Sequence, residues 1–305
     1  MSKESSPPKK QRIKLKTTFF RELKQKGRRR DLKDIIDFLE IDNIIGLTDL
    51  AKVVDILNQF AQSEKDTLIR SLISLPNNFQ NAVGMKLAIE SKWWETNLED
   101  TKQLIKEFAT HRFWQLRDLA AELLANLVID LAEEKALLME YATSSDVKER
   151  QMATNAVMLI LKLEESVDQY NEVILTLLRD EDFLVRYSLA YNGFGGVGLK
   201  YHPERTIAFI QELAEKYDEE EIKECVLATL THDLAKEYLE VALKILATYM
   251  EDTRNSIRRM RHSVLQNFVH ENKEEIQRFL ETRIESEEAL DHWANLAAAG
   301  LFDEQ

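Results

Sequence analysis

QLRDLAAELLANL, at residues 115–127, is the stretch that decides the fold class of this chain. Its leucines and alanines recur at intervals of three and four residues, which is the period of a helix with one apolar face. No glycine or proline interrupts it, and the whole chain of 305 residues contains only 8 Gly and 4 Pro. An all-β protein of this length would need a turn about every 8–12 residues. We therefore predict an all-α protein.

Other segments of the chain show the same helical period. Helices are predicted near residues 78–92, 98–110, 113–130, 132–143, 146–163, 167–179, 182–193, 203–217, 219–232, 236–250, 254–270, 272–284 and 286–299. Because the linkers between them are short, neighbouring helices should run antiparallel.

Three of these segments resemble residues 115–127 closely enough to suggest a repeat: KERQMATNAVMLI (148–160), LVRYSLAYNGF (184–194) and IRRMRHSVLQNF (257–268). Each of the four places an arginine one turn ahead of a small or apolar position, and these arginines are Arg117, Arg150, Arg186 and Arg259. A period of about 35–40 residues built from two helices is typical of HEAT and armadillo repeats. We predict a right-handed α-solenoid of about six or seven antiparallel helix pairs. For most of the arginines we favour a structural role, in which they pair with acids of adjacent repeats.

Four of the eight glycines lie in GFGGVG at residues 193–198. The preceding segment is helical rather than a strand, which argues against a phosphate-binding loop. We predict a flexible corner between two helices, where glycine permits positive φ and close approach of the backbone.

Charge is distributed unevenly along the chain. Residues 1–33 contain 13 Lys or Arg and 3 Asp or Glu, although the whole chain contains 41 and 54 and has a formal net charge of −13. The polar, proline-containing start is typical of disorder. We predict a basic, disordered arm at residues 1–30 and a single HEAT-like domain at residues 31–305. The arm should attract nucleic acid and the acidic remainder should repel it on average.

The sequence offers no support for a metal or another cofactor. The six histidines are scattered, and the single cysteine, Cys225, lies among apolar residues and is predicted to fill the core. There is no apolar run long enough to cross a membrane. We expect an intracellular, cytoplasmic protein that acts as a monomer, associated with the nucleoid if it binds DNA.

Four segments in order resemble the AlkD-type family of DNA-alkylation-repair glycosylases, which are built from HEAT-like repeats. They are NIIGLTDLAKVVDIL (43–57), LPNNFQNAVGMKL (75–87), THRFWQLRD (110–118) and DEDFLVRYSLAY (180–191) with KYHPE (200–204). Together they span about half of the chain. The resemblance implies a DNA repair protein with alkylated duplex DNA as its partner.

The resemblance also assigns roles to individual residues. Trp114 falls on an active-site tryptophan and Asp118 on the catalytic aspartate; residues four apart share one helix face. Tyr191 falls where the family usually has a second tryptophan. Gln151 falls where the family has an arginine that contacts DNA phosphate, with Arg150 beside it. Tyrosine and glutamine are departures from the family pattern at these two positions.

The implied chemistry is the excision of purines alkylated at N3 or N7. Such a purine is cationic and leaves readily, so one carboxylate suffices to stabilise the charge on the deoxyribose and to position a water. Aromatic rings around it supply cation–π attraction and exclude bulk water.

A basic stripe is predicted to contact the duplex backbone on the concave face of the solenoid. Arg254, Arg258 and Arg261 are spaced three or four apart along one helix, and Arg112 and Arg117 precede and follow Trp114. The alternative is that the stripe pairs with nearby acids such as Asp252.

A second function class stays open, namely a HEAT-type scaffold that binds another protein and performs no chemistry. The acidic composition and Gln151 favour the scaffold, whereas the ordered segments and the basic arm favour the glycosylase. Considered alone, Trp114 on a helix is typical of a core position, and Asp118 beside Arg117 is typical of a surface ion pair.

Overall fold

Helices dominate the computed structural model, which describes residues 9–39, 47–164 and 168–282. No β-strand occurs within these three ranges, so the all-α prediction is confirmed for them. The α-helices are α1 (Lys9–Arg29), α2 (Leu32–Phe38), α3 (Leu50–Leu57), α4 (Gln62–Ile73), α5 (Asn78–Glu90), α6 (Leu98–Ala109), α7 (Trp114–Asp130), α8 (Lys135–Ala142), α9 (Val147–Leu163), α10 (Asn171–Leu178), α11 (Phe183–Tyr187), α12 (Leu199–Tyr201), α13 (Pro203–Lys216), α14 (Glu220–Leu230), α15 (Leu239–Thr248), α16 (Asn255–Val269) and α17 (Lys273–Glu281). A π-helix at Ser188–Gly198 joins α11 to α12, and 3₁₀ turns occur at Leu47–Asp49, Trp93–Glu95, Ala132–Glu134, Asp168–Tyr170 and Asp233–Tyr238.

The helical period located the longer helices well. The helices predicted near 98–110, 113–130 and 146–163 are observed as α6, α7 and α9, with ends that differ by one residue at most. The helix predicted at 286–299 lies outside the described residues. Within the described ranges, no helix has the length and apolar character that a membrane span requires.

The chain divides into two compact units, Met1–Ala132 and Glu133–Gln305, where the sequence predicted a single domain from residue 31 onward. In the first unit, α5 packs against α3, α4 and α7, and α7 also packs against α6. In the second unit, the π-helix packs against α9 and α14, and α14 packs against α16. The helices that carry the predicted site residues are thus held by neighbours within their own unit.

The basic start of the chain is more ordered than its composition suggests. Residues 9–29 form α1, which packs against α2 and α3 and buries Phe19 and Leu23. The Phe19 ring also stacks on Phe38, with 4.8 Å between the ring centroids. The predicted disorder is therefore wrong for residues 9–29, because two apolar side chains one turn apart anchor the helix. Residues 1–8 of the predicted arm lie outside the described residues.

The repeated arginines have the same local role in three segments. The Nη1 atoms of Arg117, Arg150 and Arg186 each donate to the carbonyl oxygen six residues earlier, at 2.7, 2.9 and 2.6 Å. Those carbonyls follow the last turns of α6, α8 and α10, where a helix leaves its acceptors unpaired. The arginine of each segment thus stabilises the turn that joins the two helices of its pair.

Two of these arginines also connect successive pairs. Nε of Arg150 donates to Asp180 at 2.6 Å, and Nη2 of Arg186 donates to Glu224 at 3.0 Å. The structural role favoured for the repeated arginines is confirmed for both. In the fourth segment the role belongs to Arg261, whose Nη1 donates to main-chain carbonyls that end α15, and not to Arg259.

The glycine cluster lies inside the π-helix, so the predicted corner is wrong. None of its glycines has a positive φ. A Cβ on Gly195 would lie 2.7 Å from the Cβ of His232, and a Cβ on Gly198 would lie 2.6 Å from Oγ1 of Thr206. Glycine is therefore needed here for close packing rather than for its conformational freedom.

Cys225 lies in the core of the second unit, as the sequence predicts. It is buried in α14, and its thiol lies 3.7 Å from the carbonyl oxygen of Leu178. Burial raises the pKa of this thiol to about 12. A thiol of this kind is inert at neutral pH, so its role is packing.

Candidate nucleic-acid interface

The turn between α6 and α7 positions Trp114 at the first residue of α7. His111 organises this turn, because its Nδ1 accepts a hydrogen bond from the main-chain N–H of Phe113 at 3.2 Å. The carbonyl of the same histidine accepts from Arg117 at 2.7 Å, and its ring stacks on Phe113 with 5.7 Å between centroids. The backbone that presents Phe113 and Trp114 is therefore held from both sides.

Trp114 is exposed, which contradicts the core position that its residue type alone suggests. Its side chain is 59% exposed and that of Phe113 is 38% exposed. The inner side of α7 is already filled by leucines and alanines that pack on α5 and α6. A large exposed aromatic pair of this kind is typical of a surface that contacts a ligand or a partner.

Asp118 lies one helical turn after Trp114 and is half-buried. Residues four apart on a helix point to the same side, so the carboxylate and the indole belong to one face of α7. This arrangement gives an anionic group beside a π-face, both within reach of a molecule that docks on that face.

The pKa of the His111 imidazole is lower than usual. Burial, and then the neighbouring Arg112 and Arg117, lower the pKa of its imidazole. The ring is therefore neutral at pH 7, as its role as an acceptor from Phe113 requires. The Arg112 guanidinium is exposed and lies 5.0 Å from the centroid of the Phe113 ring. Arg112 is thus a predicted DNA-contacting arginine whose guanidinium group is exposed on the surface.

In the second unit, Tyr191 belongs to a row of four aromatic rings. Phe183 stacks on Tyr187 at 5.4 Å, Tyr187 stacks on Tyr191 at 5.2 Å, and Tyr191 lies 4.9 Å from the His232 ring. We call these four side chains the aromatic row. Phe183 at its end is 51% exposed.

Tyr187, inside the aromatic row, carries no charge at pH 7. Burial and the neighbouring Tyr191 raise the pKa of Tyr187, which keeps its phenol protonated. Nδ1 of His232 accepts from the N–H of Leu234 at 3.2 Å, so in the neutral ring Nε2 carries the proton. Neutral π-faces attract cations, and they also stack on bases.

Gln151 lines an open cavity of about 320 Å³ next to the aromatic row. The cavity lies between α9 and the helix that continues from α11 into the π-helix, and its lining side chains are Gln151, Thr154, Asn155, Leu184, Tyr187, Ser188 and Asn192. These side chains are uncharged amides, hydroxyls and one leucine. They can exchange hydrogen bonds with a base or a sugar, but they provide no cation for a phosphate.

Two predicted DNA-contacting arginines lie in the interior. Arg150 is buried and bonds both carboxylate oxygens of Asp180, and these bonds hold its pKa above the ordinary value for arginine although burial alone would lower it. Arg261 is completely buried and donates to the main-chain carbonyl of Met250 at 2.7 Å. The predictions that these two side chains contact phosphate are therefore wrong, since both guanidinium groups are used inside the fold.

The basic stripe of α16 is interrupted as a result. Arg254 bonds Asp252 through both Nε and Nη2, and Lys223 donates to the same carboxylate at 2.9 Å. Arg258 is half-buried. For Arg254 the structure thus shows the alternative that the sequence left open, in which it pairs with a nearby acid.

The structure places the predicted site residues in two units. Trp114 and Asp118 lie on α7 of the first unit, whereas Gln151 and Tyr191 lie on α9 and the π-helix of the second. Their convergence on one surface stays a prediction. The sequence analysis missed Phe183, Tyr187 and His232. The four-residue spacing of Phe183, Tyr187 and Tyr191 would have revealed the first two. His232 belongs to a different element, so no local spacing indicates it.

Comparison with known proteins completes this description. No curated protein matches the chain significantly. Among solved structures, an engineered protein from the Northeast Structural Genomics Consortium is similar over 67% of this chain and 96% of that chain, at 15% sequence identity and a TM-score of 0.31. The sequence model of the family described as "DNA alkylation repair enzyme" matches residues 20–224, about two thirds of the chain. This match confirms the resemblance carried by the four segments: the chain belongs to the DNA alkylation repair enzyme family.

Proposed function

We propose that the protein is a DNA glycosylase that removes purines alkylated at N3 or N7 from duplex DNA held on the concave face of an α-solenoid. The observation that supports this most strongly is the 59% exposure of Trp114 at the start of α7, one turn before the half-buried Asp118. When a partner covers an exposed tryptophan, apolar surface is removed from water, and this stabilises the complex. Membership of the DNA alkylation repair enzyme family supports DNA repair as the process.

Asp118 and Trp114 match what this reaction demands. An alkylated purine is a cationic leaving group, so no general acid is needed to protonate it. The charge that develops on the deoxyribose needs a nearby carboxylate, which also orients the attacking water. The face of Trp114 attracts the cationic base and limits access of bulk solvent.

The second unit supports the same proposal through uncharged groups. The aromatic row offers π-faces on which bases stack, and the cavity lined by Gln151 offers amides for base or sugar edges. We propose that Gln151 contacts DNA through hydrogen bonds rather than through a charge, in place of the family's arginine.

Replacing Asp118 by asparagine tests the proposal directly. Asp118→Asn keeps the shape of the side chain but removes the negative charge. Release of methylated purine from damaged duplex should fall by about two orders of magnitude or more. Binding to undamaged duplex should change little. If Asp118 only makes a structural ion pair, the unfolding free energy should fall by up to about 1 kcal/mol and base release should be unchanged.

Glu122 provides the matched control one turn further along α7. Its carboxylate pairs with Lys86 of α5 at 2.5 Å, which is a structural contact within the first unit. Glu122→Gln makes the same chemical change and should leave base release unaffected. Equal losses of activity in the two variants would contradict a specific role for Asp118.

The scaffold function has one observation in its favour. Arg150 and Arg261 form hydrogen bonds in the interior, and Arg254 is paired with Asp252. Few of the arginines predicted to contact DNA in the second unit are therefore available to a phosphate. Wild-type protein that releases no base from any alkylated duplex would favour this second function.

A further inference from the structure

The first unit contains a cavity that none of the residues discussed so far lines. It lies between α1 and α3 and has a volume of about 400 Å³. At about 30 Å³ for each water of the liquid, it has room for roughly ten waters. We call it the basic cavity, because Lys24, Arg28 and Arg30 lie around it while Gly27, Ile56 and Phe60 form its apolar part.

The cations of the basic cavity are largely unused by the fold. Among the described residues, neither the Lys24 ammonium nor the Arg28 guanidinium has a hydrogen-bond or ion-pair partner. Arg30 is 62% exposed, and its ion pair with Glu64 spans 3.8 Å. Three cations around one cavity with a single distant carboxylate repel each other, and an anion would relieve that repulsion.

A glycine keeps the cavity open. A Cβ on Gly27 would lie 3.7 Å from Cγ2 of Ile56 and 3.8 Å from the Phe60 ring. These are ordinary contact distances, so a small side chain could be accepted there without a clash. The missing side chain leaves the space between those two residues to a ligand.

The end of α1 is also arranged to tolerate an anion. Arg30 has a φ of 56°, the left-handed conformation in which helices usually place glycine. In this conformation its N–H donates to the carbonyls of Lys26 and Gly27, both at 3.1 Å. Satisfying these carbonyls reduces the partial negative charge that the end of a helix presents to a ligand.

We propose that the basic cavity binds a phosphate group of the DNA backbone and so anchors the duplex to the first unit. The proposal rests on the proposed function in that it takes duplex DNA as the ligand. Lysine and arginine side chains are the usual partners of phosphate, and an open cavity suits a group that belongs to a polymer. In a chain with net charge −13, such a cluster is where a polyanion can approach.

The test compares two double variants of the full-length chain on the same helix. Lys24→Gln with Arg28→Gln removes two charges from the basic cavity. Arg21→Gln with Arg29→Gln removes two exposed charges of α1 that do not line it. Affinity for a short undamaged duplex at low salt should fall about tenfold or more in the first and about twofold or less in the second.

Gly27→Met separates shape from charge. It leaves every cation in place but fills the space above Ile56 and Phe60, so duplex affinity should fall by a factor comparable to that of the first double variant. Titration of the wild-type protein with inorganic phosphate, followed by the amide NMR signal of Gly27, identifies the source of the ligand. Weak saturation by phosphate together with tight displacement by duplex supports the proposal.

Several results would overturn it. Equal loss of duplex affinity in the two double variants would mean that α1 attracts DNA only by its total charge. The proposal would also be wrong if Gly27→Met kept the wild-type affinity for duplex, or if free phosphate saturated the cavity and duplex failed to displace it. The absence of any duplex binding would overturn it too. These measurements use undamaged DNA, so their failure is distinct from a failure of Asp118-dependent base release.

Discussion

Trp114 is 59% exposed, whereas Trp93 and Trp94 in the same unit are buried. All three tryptophans lie at or near a helix start, and nothing local separates them. The difference arises from their neighbours, since the inner side of α7 is occupied by small and branched apolar residues. At the scale of single residues, this exposure supports the contact role proposed for Trp114.

Truncating Trp114 should therefore affect function more than stability. Trp114→Ala should change the unfolding free energy by about 0.5 kcal/mol or less, because an exposed side chain contributes little to the core. Release of alkylated base should fall at least about tenfold if the indole covers the lesion. Urea unfolding and base release from one preparation measure both effects.

Trp94→Ala is the control for this prediction, since the same atoms are removed from a buried site. It should cost about 3–5 kcal/mol, as is usual for a large aromatic in a core. A comparable loss of stability in Trp114→Ala would show that the exposed indole is in fact a packing residue.

At the scale of elements, ion pairs that join helices determine which arginines are available to a ligand. The segment before α16 illustrates this. Asp252 accepts from Arg254 at its own helix start and from Lys223 of α14. Hydrogen bonds from Arg254, and to a lesser extent from Lys223, hold the pKa of the Asp252 carboxyl well below its usual 3.8.

This pKa shift predicts a pH dependence of stability. A carboxyl whose pKa is lower in the folded state stabilises the protein above the unfolded pKa, and loses that effect as pH falls toward the folded pKa. Asp252→Asn should therefore destabilise the protein at pH 7, and the difference from wild type should shrink as pH falls below about 4. Unfolding curves in urea at pH 7 and pH 3 measure it.

Asp233→Asn serves as the control, because Asp233 is exposed and pairs with Lys236 one turn away at 3.2 Å. It should have little effect on stability at either pH. A difference between wild type and Asp252→Asn that stays constant from pH 7 to pH 3 would contradict the assignment of this pair as a charged link.

At the scale of the whole molecule, the proposed function requires an acidic chain and its basic first helix to coexist in one DNA-binding protein. Arg21, Lys24, Arg28 and Arg29 of α1 are exposed and have no described partner. If Lys24 and Arg28 each neutralise one phosphate and Arg21 and Arg29 neutralise none, this helix should account for an about tenfold fall in duplex affinity between about 50 and 200 mM salt. The logarithmic slope from fluorescence anisotropy against salt concentration gives this number.

Lys24→Gln with Arg28→Gln should reduce that slope by about two, whereas Arg21→Gln with Arg29→Gln should leave it nearly unchanged. Deleting residues 1–30 is a poorer experiment, because Phe19 and Leu23 of α1 contribute to the core. A salt slope that is unchanged in the first of these double variants would exclude Lys24 and Arg28 as DNA contacts.

The sequence by itself determined the all-α class, the positions of the long helices, the family and the position of Trp114 and Asp118 on one helix face. The family depends on four short segments in order, and the other three depend on spacing along one helix, which a helical period reveals without knowledge of neighbours. The arginines of three repeats were recognisable for the same reason, since each bonds a carbonyl only six residues away, whereas in the fourth segment the sequence indicated Arg259 instead of Arg261.

Only the tertiary structure decided which cations are available and where cavities open. Arg150 is paired with Asp180, thirty residues further along the chain, and Arg261 is enclosed by packing from several helices. The basic cavity needs Gly27 of α1 to meet Phe60, which follows α3. Burial depends on what every neighbouring element leaves unfilled, and that sum over distant residues is absent from any local pattern.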